Sequence, residues 1–409
     1  MHKYLIYWGR LFRCAFSGSS SYFIWLSILT LLVAAGVISY VDQLQRGLQV
    51  SNMSDWVNWG AYIANFTFLV GVAAAAVLLV VPTYIYHRKD VKEVVLVGEL
   101  LAFTAIIMCL LFITVDLGRP DRFWHILPFW GNLNFPMSVL AWDVVVLNGY
   151  LLLNLHIPGY LLYKKYKGEE PSKYLFLPFV FISIGWAISI HTVTAFLYSG
   201  LAGRPFWNSA ILAPRFLVSA FASGPAIMIL IFQIIRRVTN FKVQETVLDL
   251  LKNIVKWVIP INLFFLGCEV FKEFYTNSTH VASAKYLFLG LHGKHLLVPY
   301  IWTAIVFAVI AGFIFAIPSL RKNNTLTSIA AVLTIIGVWI EKGMGLIIPG
   351  FIPSSLGDLH EYTPSIHEFF ICLGIWSLGA LIFTLLAKTA ISLQLGELNP
   401  DLKRHSLHA

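Results

Sequence analysis

Runs of about twenty mostly apolar residues, divided by short polar stretches, recur along the whole chain, and a run of that length is what a helix needs to cross a bilayer. Ten stand out: Ser21 to Val41, Asn58 to Tyr86, Val94 to Val115, Met137 to Tyr163, Tyr174 to Tyr198, Ile211 to Ile235, Leu250 to Phe271, Leu296 to Ile317, Leu326 to Leu346 and Ser365 to Leu386. The seventh holds Pro260, and the ninth closes on Glu341 and Lys342. The connections are roughly 20 residues or fewer, too short for a separate soluble domain. Lys3, Arg10 and Arg13 precede the first run as in a secretory signal, but it lacks a small-residue cleavage site and more spans follow, so it is expected to remain as an anchor. The pattern predicts an all-α integral membrane protein with about ten transmembrane helices.

Composition strengthens this reading. The 409 residues are 58% hydrophobic and only 12% charged, against about 25% charged in a soluble domain, and the mean hydropathy is +0.77. An ordinary soluble globule is excluded. The net charge of +9 could signal nucleic acid, but the basic residues are scattered singly between apolar runs and none forms a nucleic-acid patch. With a cytoplasmic amino terminus, twenty of the 29 Lys and Arg fall on the inner side, from Lys3, Arg10 and Arg13 through Arg88, Lys164 and Arg236 to Lys403 and Arg404. That asymmetry is the positive-inside signature, and ten spans put both termini in the cytoplasm. Cys14, Cys109, Cys268 and Cys372 form no C-x-x-C pair, so neither an iron-sulfur cluster nor a zinc site is encoded.

Ionisable groups inside spans cost about 2.5–3.5 kcal/mol even on an insertion scale, which makes each a functional hypothesis. Asp116 closes span three on the outer side, Asp143 enters span four, and His191 lies about two turns short of the outer end of span five. Asp143 and His191 share a depth on consecutive helices, where a carboxylate and imidazole can pair and pass protons. Glu269, Lys294 and Lys342 lie near the outer interface, where snorkelling accounts for them equally well, and Glu341 beside Lys342 and His367 beside Glu368 read equally as local interfacial pairs. On the inner side Glu99, His87, His156, Asn148 and Asn154 suggest a polar track, or interhelical hydrogen-bond glue. Proton acceptance beside lipid suits quinol oxidation, and the 15% aromatic content suits such a site, although an interfacial aromatic belt explains most of it. A secondary transporter with buried acids and a haem b cytochrome using His191 and His367 stay open as alternatives.

Two outer loops repeat Gly-Arg-Pro followed by Phe-Trp: DLGRPDRFWHIL from Asp116 and LAGRPFWNSAILAPRF from Leu201. With NFPMSVLAWD, ending at Asp143, the first string resembles the hallmark of the polysulfide reductase membrane subunit family, the NrfD/PsrC type. The strings from Ser189 to Pro225 and from Ile340 to Pro364 resemble its ten-span DsrP/HmeB branch, found in sulfite-reduction-associated, Hdr-like menaquinol-oxidising complexes. The resemblance covers spans two to ten. It implies two pseudo-symmetric four-helix bundles, residues 57–198 and 211–346, flanked by helices at 21–41 and 364–387 in one polytopic domain. It further implies menaquinol as substrate near the outer face, no haem or iron-sulfur cluster in this chain, and an extracytoplasmic ferredoxin-like iron-sulfur subunit, multihaem cytochrome c and heterodisulfide-reductase-like subunits as partners. Carried onto this sequence, Asp116, Asp143 and His191 become the proton-handling residues, and Tyr62, Asn65, Arg119, Trp142 and Arg204 the quinone contacts. Shorter members place an Asn and a His on the entry helix, and this chain has no mid-span His there.

Overall fold

The computed structural model describes residues 2–127, 130–277, 280–354 and 357–398. Lys403 and Arg404 of the charge asymmetry, and Ser355 and Leu356 of the last matching string, lie outside them. In chain order the helices are α1 (His2–Ala15), α2 (Ser20–Arg46), α3 (Ala61–Ala74), α4 (Val77–Tyr84), α5 (Lys89–Lys92), α6 (Val95–Asp116), α7 (Val139–Lys167), α8 (Lys173–Ser199), α9 (Leu212–Val238), α10 (Glu245–Thr276), α11 (Val281–Phe288), α12 (Val298–Ala316), α13 (Pro318–Arg321), α14 (Asn324–Trp339), α15 (Gly345–Ile347) and α16 (Ile366–Gln394). No strand occurs among the described residues, and ten helical segments are long and apolar enough to cross a membrane. The chain is an all-α, multi-pass membrane protein.

Each of the ten predicted runs falls on one of these segments. Pro260 sits inside an unbroken α10 of 32 residues. The ninth span runs past Glu341 and Lys342 to Phe351, because a π-turn over Ile340–Met344 carries the helix through them. The second span bends between α3 and α4, where Ala75 and Ala76 keep right-handed helical angles and Leu78 and Leu79 make i to i−3 bonds. This is a kink, and the backbone stays helical through it.

Helices α3, α6, α7 and α8 pack in one closed ring, and α9, α10, α12 and α14 in another. The rings join where α9 and the π-turn lie against α3 and α8. All fourteen residues of α3 are buried, so this helix, covered on every side, is the axis of the molecule rather than an amphipathic wall. The first and last spans, α2 and α16, pair with each other, and α16 lies against α6. Their approach is set by glycines: a Cβ on Gly36 would stand 2.7 Å from the Gly374 Cα and 3.0 Å from the Phe370 oxygen. Gly36→Val is therefore expected to force the pair apart at a cost of about 1–3 kcal/mol, read as a lower melting temperature of the purified protein in lipid nanodiscs.

The amino-terminal end of α3 and the carboxy-terminal ends of α2, α6 and α8 share one face, and the connection 200–211 folds back over it. Its Trp207 is fully buried, with the indole N–H donating to the Leu346 carbonyl at 2.8 Å and the ring stacked on Trp59 at 5.6 Å. Gly350 makes room for it, since a Cβ there would meet the indole at 1.9 Å. The Gly-Arg-Pro-Phe-Trp loop is thus a structural plug at the seam between the rings. In it Arg204 is half-buried, its guanidinium 4.9 Å above the Phe351 ring.

Candidate functional site

Two groups of polar side chains surround the amino-terminal half of α3, on opposite sides of it. Toward α2 and α16, Tyr62 donates to the Gln43 side-chain Oε1 at 2.6 Å, and Gln43 Nε2 donates to the Val115 carbonyl at 2.6 Å. One turn further, the Asn65 oxygen accepts from the indoles of Trp339 at 3.0 Å and Trp376 at 2.9 Å, while its amide bonds the Ala61 carbonyl. Both Tyr62 and Asn65 are buried. Glu368, fully buried at the start of α16, accepts from Tyr362 and from the backbone N–H groups of Asn52 and Ser365. Tyr362 in turn accepts from the Ala61 N–H at 2.8 Å. Burial, and then the Glu368 carboxylate, hold the Tyr362 phenol above its ordinary range, so it stays protonated and donating.

Asp116 ends α6 within electrostatic reach of Glu368, Tyr62 and Tyr198. Its Oδ1 is buried and takes no hydrogen bond. Beyond it, toward α7 and α8, Tyr198 bonds Thr67 of α3 through the two hydroxyls. Asp143, 1% exposed, accepts from Thr194 at 2.9 Å through Oδ1, and its Oδ2 has no partner. His191 is fully buried on α8, and no side chain bonds either ring nitrogen. The expected Asp143–His191 ion pair does not form. Thr194 takes the carboxylate instead, because it lies three residues on from His191 and its hydroxyl reaches Asp143 while still bonding the Ile190 carbonyl.

Sequence reasoning placed Lys342 at the interface; it is 5% exposed at the seam between the rings. Its ammonium lies 4.4 Å from the Phe216 ring centre and 3.4 Å from the Phe216 carbonyl, within electrostatic reach of His191 and Cys109. The absent Cβ of Gly71 leaves the space it fills: a methyl there would stand 3.3 Å from the ammonium. Adjacent residues of the π-turn serve different rings: Lys342 points toward α3 and Glu341 into the second ring, where Glu341 accepts from Arg215 at 2.7 Å and from Asn262 at 2.9 Å. Arg215 also bonds Glu269, so one guanidinium joins the half-buried Glu269 of α10 and the buried Glu341 of the π-turn. A small cavity of about 20 Å³ lies beside this cluster, walled by Leu266, Val270, Phe288 and Ile301.

Three of the expected contacts point elsewhere. Arg119 is 64% exposed in a bidentate pair with Asp121, at 2.9 and 2.8 Å, because both follow a tight turn at the loop tip. Trp142 faces outward, as a residue next to buried Asp143 must on a helix, and donates to the Pro136 carbonyl at 2.8 Å. Arg204 serves the loop plug. On the opposite half, Glu99 is buried with Oε2 unpartnered and Tyr84 and Tyr150 in electrostatic reach; Asn154 is buried, but Asn148, His156 and His87 are exposed, so the polar track narrows to Glu99, Tyr150 and Asn154. His367 pairs with Asp42 at 2.9 Å at the edge between α2 and α16, far from the α7–α8 side that holds His191, and the two histidines do not face each other as haem ligands.

Gln43, Thr194, Tyr198, Tyr362, Glu368 and Lys342 were not singled out as site residues by the sequence. Only Glu368 and Lys342 carried a signal, a charge beside a span. Among known proteins, the chain is 22% identical over 405 residues to a selenate reductase subunit of Mesobacillus selenatarsenatis, with 88% of this chain and 92% of the relative aligned. It is 23% identical over 384 residues to the Hdr-like menaquinol oxidoreductase integral membrane subunit of Archaeoglobus fulgidus, with 89% and 92% aligned. It is 22% identical over 395 residues to the menaquinone reductase integral membrane subunit of Nitratidesulfovibrio vulgaris, with 91% of each aligned. The family model of polysulphide reductase, NrfD, matches residues 49–353, which take in both rings and every polar group around α3 except those of α2, Tyr362 and α16, and the chain belongs to that family.

Proposed function

We propose that this chain is the quinone-reactive membrane subunit of a respiratory complex in the cytoplasmic membrane, with both termini in the cytoplasm, and that it oxidises menaquinol beside the outer half of α3. The observation that carries the reading is the pair of unpartnered buried carboxylate oxygens there, Asp143 Oδ2 and Asp116 Oδ1, together with the fully buried His191, whose ring nitrogens no side chain bonds. A buried polar atom without a partner costs about 1–3 kcal/mol, and a ligand hydroxyl would remove that cost. Oxidation of menaquinol to menaquinone breaks two O–H bonds and yields two electrons and two protons. Asp143 and His191 are placed to take the protons, with Thr194 fixing the Asp143 carboxylate and Lys342 supplying positive charge near a forming quinolate. Tyr62 and Asn65, locked by Gln43, Trp339 and Trp376, line the other side of α3 and shape the wall toward the α2–α16 pair.

The electrons leave to an extracytoplasmic partner, an iron-sulfur subunit with multihaem cytochrome c beyond it, alongside heterodisulfide-reductase-like subunits. Supporting this, the loop 117–138 presents exposed Phe123, Trp124, Trp130 and Met137 beside the Arg119–Asp121 pair. An exposed aromatic surface of this kind fits a protein interface. Protons released on that face make the step neutral when the electrons stay there. If Glu99, Tyr150 and Asn154 deliver protons or charge across the other half, it becomes electrogenic, at about 2.3 kcal/mol per charge and 100 mV. The test is addition of a reduced menaquinone analogue to the purified complex. Reduction of the partner's iron-sulfur or haem centres is expected; absence of reduction with any quinol would refute the assignment.

A further inference from the structure

The helix α1 lies on the face opposite the site, ahead of the first span, and the quinone reading does not use it. At 14 residues it is about 21 Å long, too short to cross a bilayer. It has three distinct sides. One packs on the protein: Tyr7 is 5% exposed, with its ring 5.2 Å from Tyr163 and 4.9 Å from Tyr166 at the end of α7. Burial first, and then the neighbouring tyrosines, push the Tyr7 phenol up to about 12, as an apolar contact would. On the same side Arg10 donates to the Leu398 carbonyl at 3.2 Å beyond α16, so α1 ties the ends of α7 and α16 together.

A second side is apolar and uncovered. Leu5, Trp8 and Phe12, spaced i, i+3 and i+7, are 63%, 53% and 67% exposed, and Phe16 continues the stripe past the helix end. The third side carries exposed Arg13. The apolar stripe leads into the lipid-facing surface of α2, where Phe23, Ile24, Ile28 and Leu31 are exposed as well. The surrounding face is the basic one, with Lys164, Lys165, Lys167, Arg236 and Arg237 at the ends of α7 and α9. An uncovered apolar stripe with an arginine beside it, continuous with a lipid-facing helix and set on the basic side of the molecule, matches the chemistry of an anionic leaflet.

We infer that α1 is an interfacial anchor: it lies in the boundary layer of one leaflet with Leu5, Trp8 and Phe12 among the acyl chains and Arg13 at anionic headgroups. A soluble partner protein is the competing occupant of the stripe. To separate them, the photoreactive residue p-benzoylphenylalanine replaces Phe12 in the full chain, once in the native complex and once in vesicles of phosphatidylcholine and phosphatidylglycerol. Lipid adducts at position 12 in both settings are the expected result. A crosslink from position 12 to another protein subunit, or no lipid adduct, would overturn the anchor. Adding Arg13→Gln is expected to lower the phosphatidylglycerol share of the adducts about fivefold, the effect of ~1 kcal/mol per basic residue at a charged surface. An unchanged share would overturn the headgroup assignment. Neither outcome depends on quinone activity, so the inference stands or falls apart from the proposed reaction.

Discussion

Arg215→Ala is expected to destabilise the protein by about 3–5 kcal/mol, the largest stability effect of any single charge removal in the second ring. The guanidinium, with 11% of its side chain exposed, bonds Glu341 through two nitrogens and Glu269 through a third. Without it, Glu269 and Glu341 remain as carboxylates in a low-dielectric interior with only Asn262 left to bond one of them. Removing one partner of a buried pair costs that much because the charge left behind has lost its compensation. Two further variants make the argument specific. Arg215→Ala combined with Glu341→Gln takes away one of the stranded charges and is expected to recover part of the loss. Arg215→Lys keeps the charge but cannot fork to two carboxylates, and should fall between the parent and the alanine variant. Thermal unfolding in nanodiscs reads all three. If Arg215→Ala melts with the parent protein, the cluster contributes no net stability, and its carboxylates are protonated or hydrated.

The contrast between α3 and α10 shows which parts of this molecule its sequence reveals. Both read as apolar runs, and the length rule located both. Yet α3 is wholly buried and α10 is covered on one side only; run length reports the membrane, whereas burial depends on which helix others surround. The same limit applies to side chains. Asp143 and His191 were visible because an ionisable residue in an apolar run is conspicuous, but their separation by Thr194 was not, since a threonine in a span attracts no notice. Lys342 was misplaced for a definite reason. A lysine at a span end is expected to snorkel, and only the π-turn, which extends the helix beyond it, keeps its ammonium inside. Arg119 and Trp142 show the converse error: they occupy the matching strings but face water and lipid, because a string fixes order along the chain and leaves facing to the turn or helix that carries it.

Asp143→Asn and His191→Gln are each expected to lower the turnover number for quinol oxidation by about 10²–10⁴-fold, the range for removing a positioned proton acceptor. The two substitutions nearly keep the volume of the side chain, and the amide oxygen of an asparagine in place of Asp143 could still accept from Thr194, so folding should change little. That isolates proton acceptance from packing. The comparison variant is Thr194→Val, which removes the bond that orients Asp143 and leaves the carboxylate in place; a smaller loss, with a shifted pH profile of turnover, is expected there. Two outcomes would reject the assignment. Undiminished turnover in both Asp143→Asn and His191→Gln would move the chemistry to the other side of α3, among Tyr62, Asn65 and Glu368. A rise in KM with constant turnover would instead make Asp143 and His191 binding groups that contribute equally in ground and transition states. The measurement therefore chooses between the two polar groups that flank α3, which the apolar run between Ala61 and Ala74 holds apart.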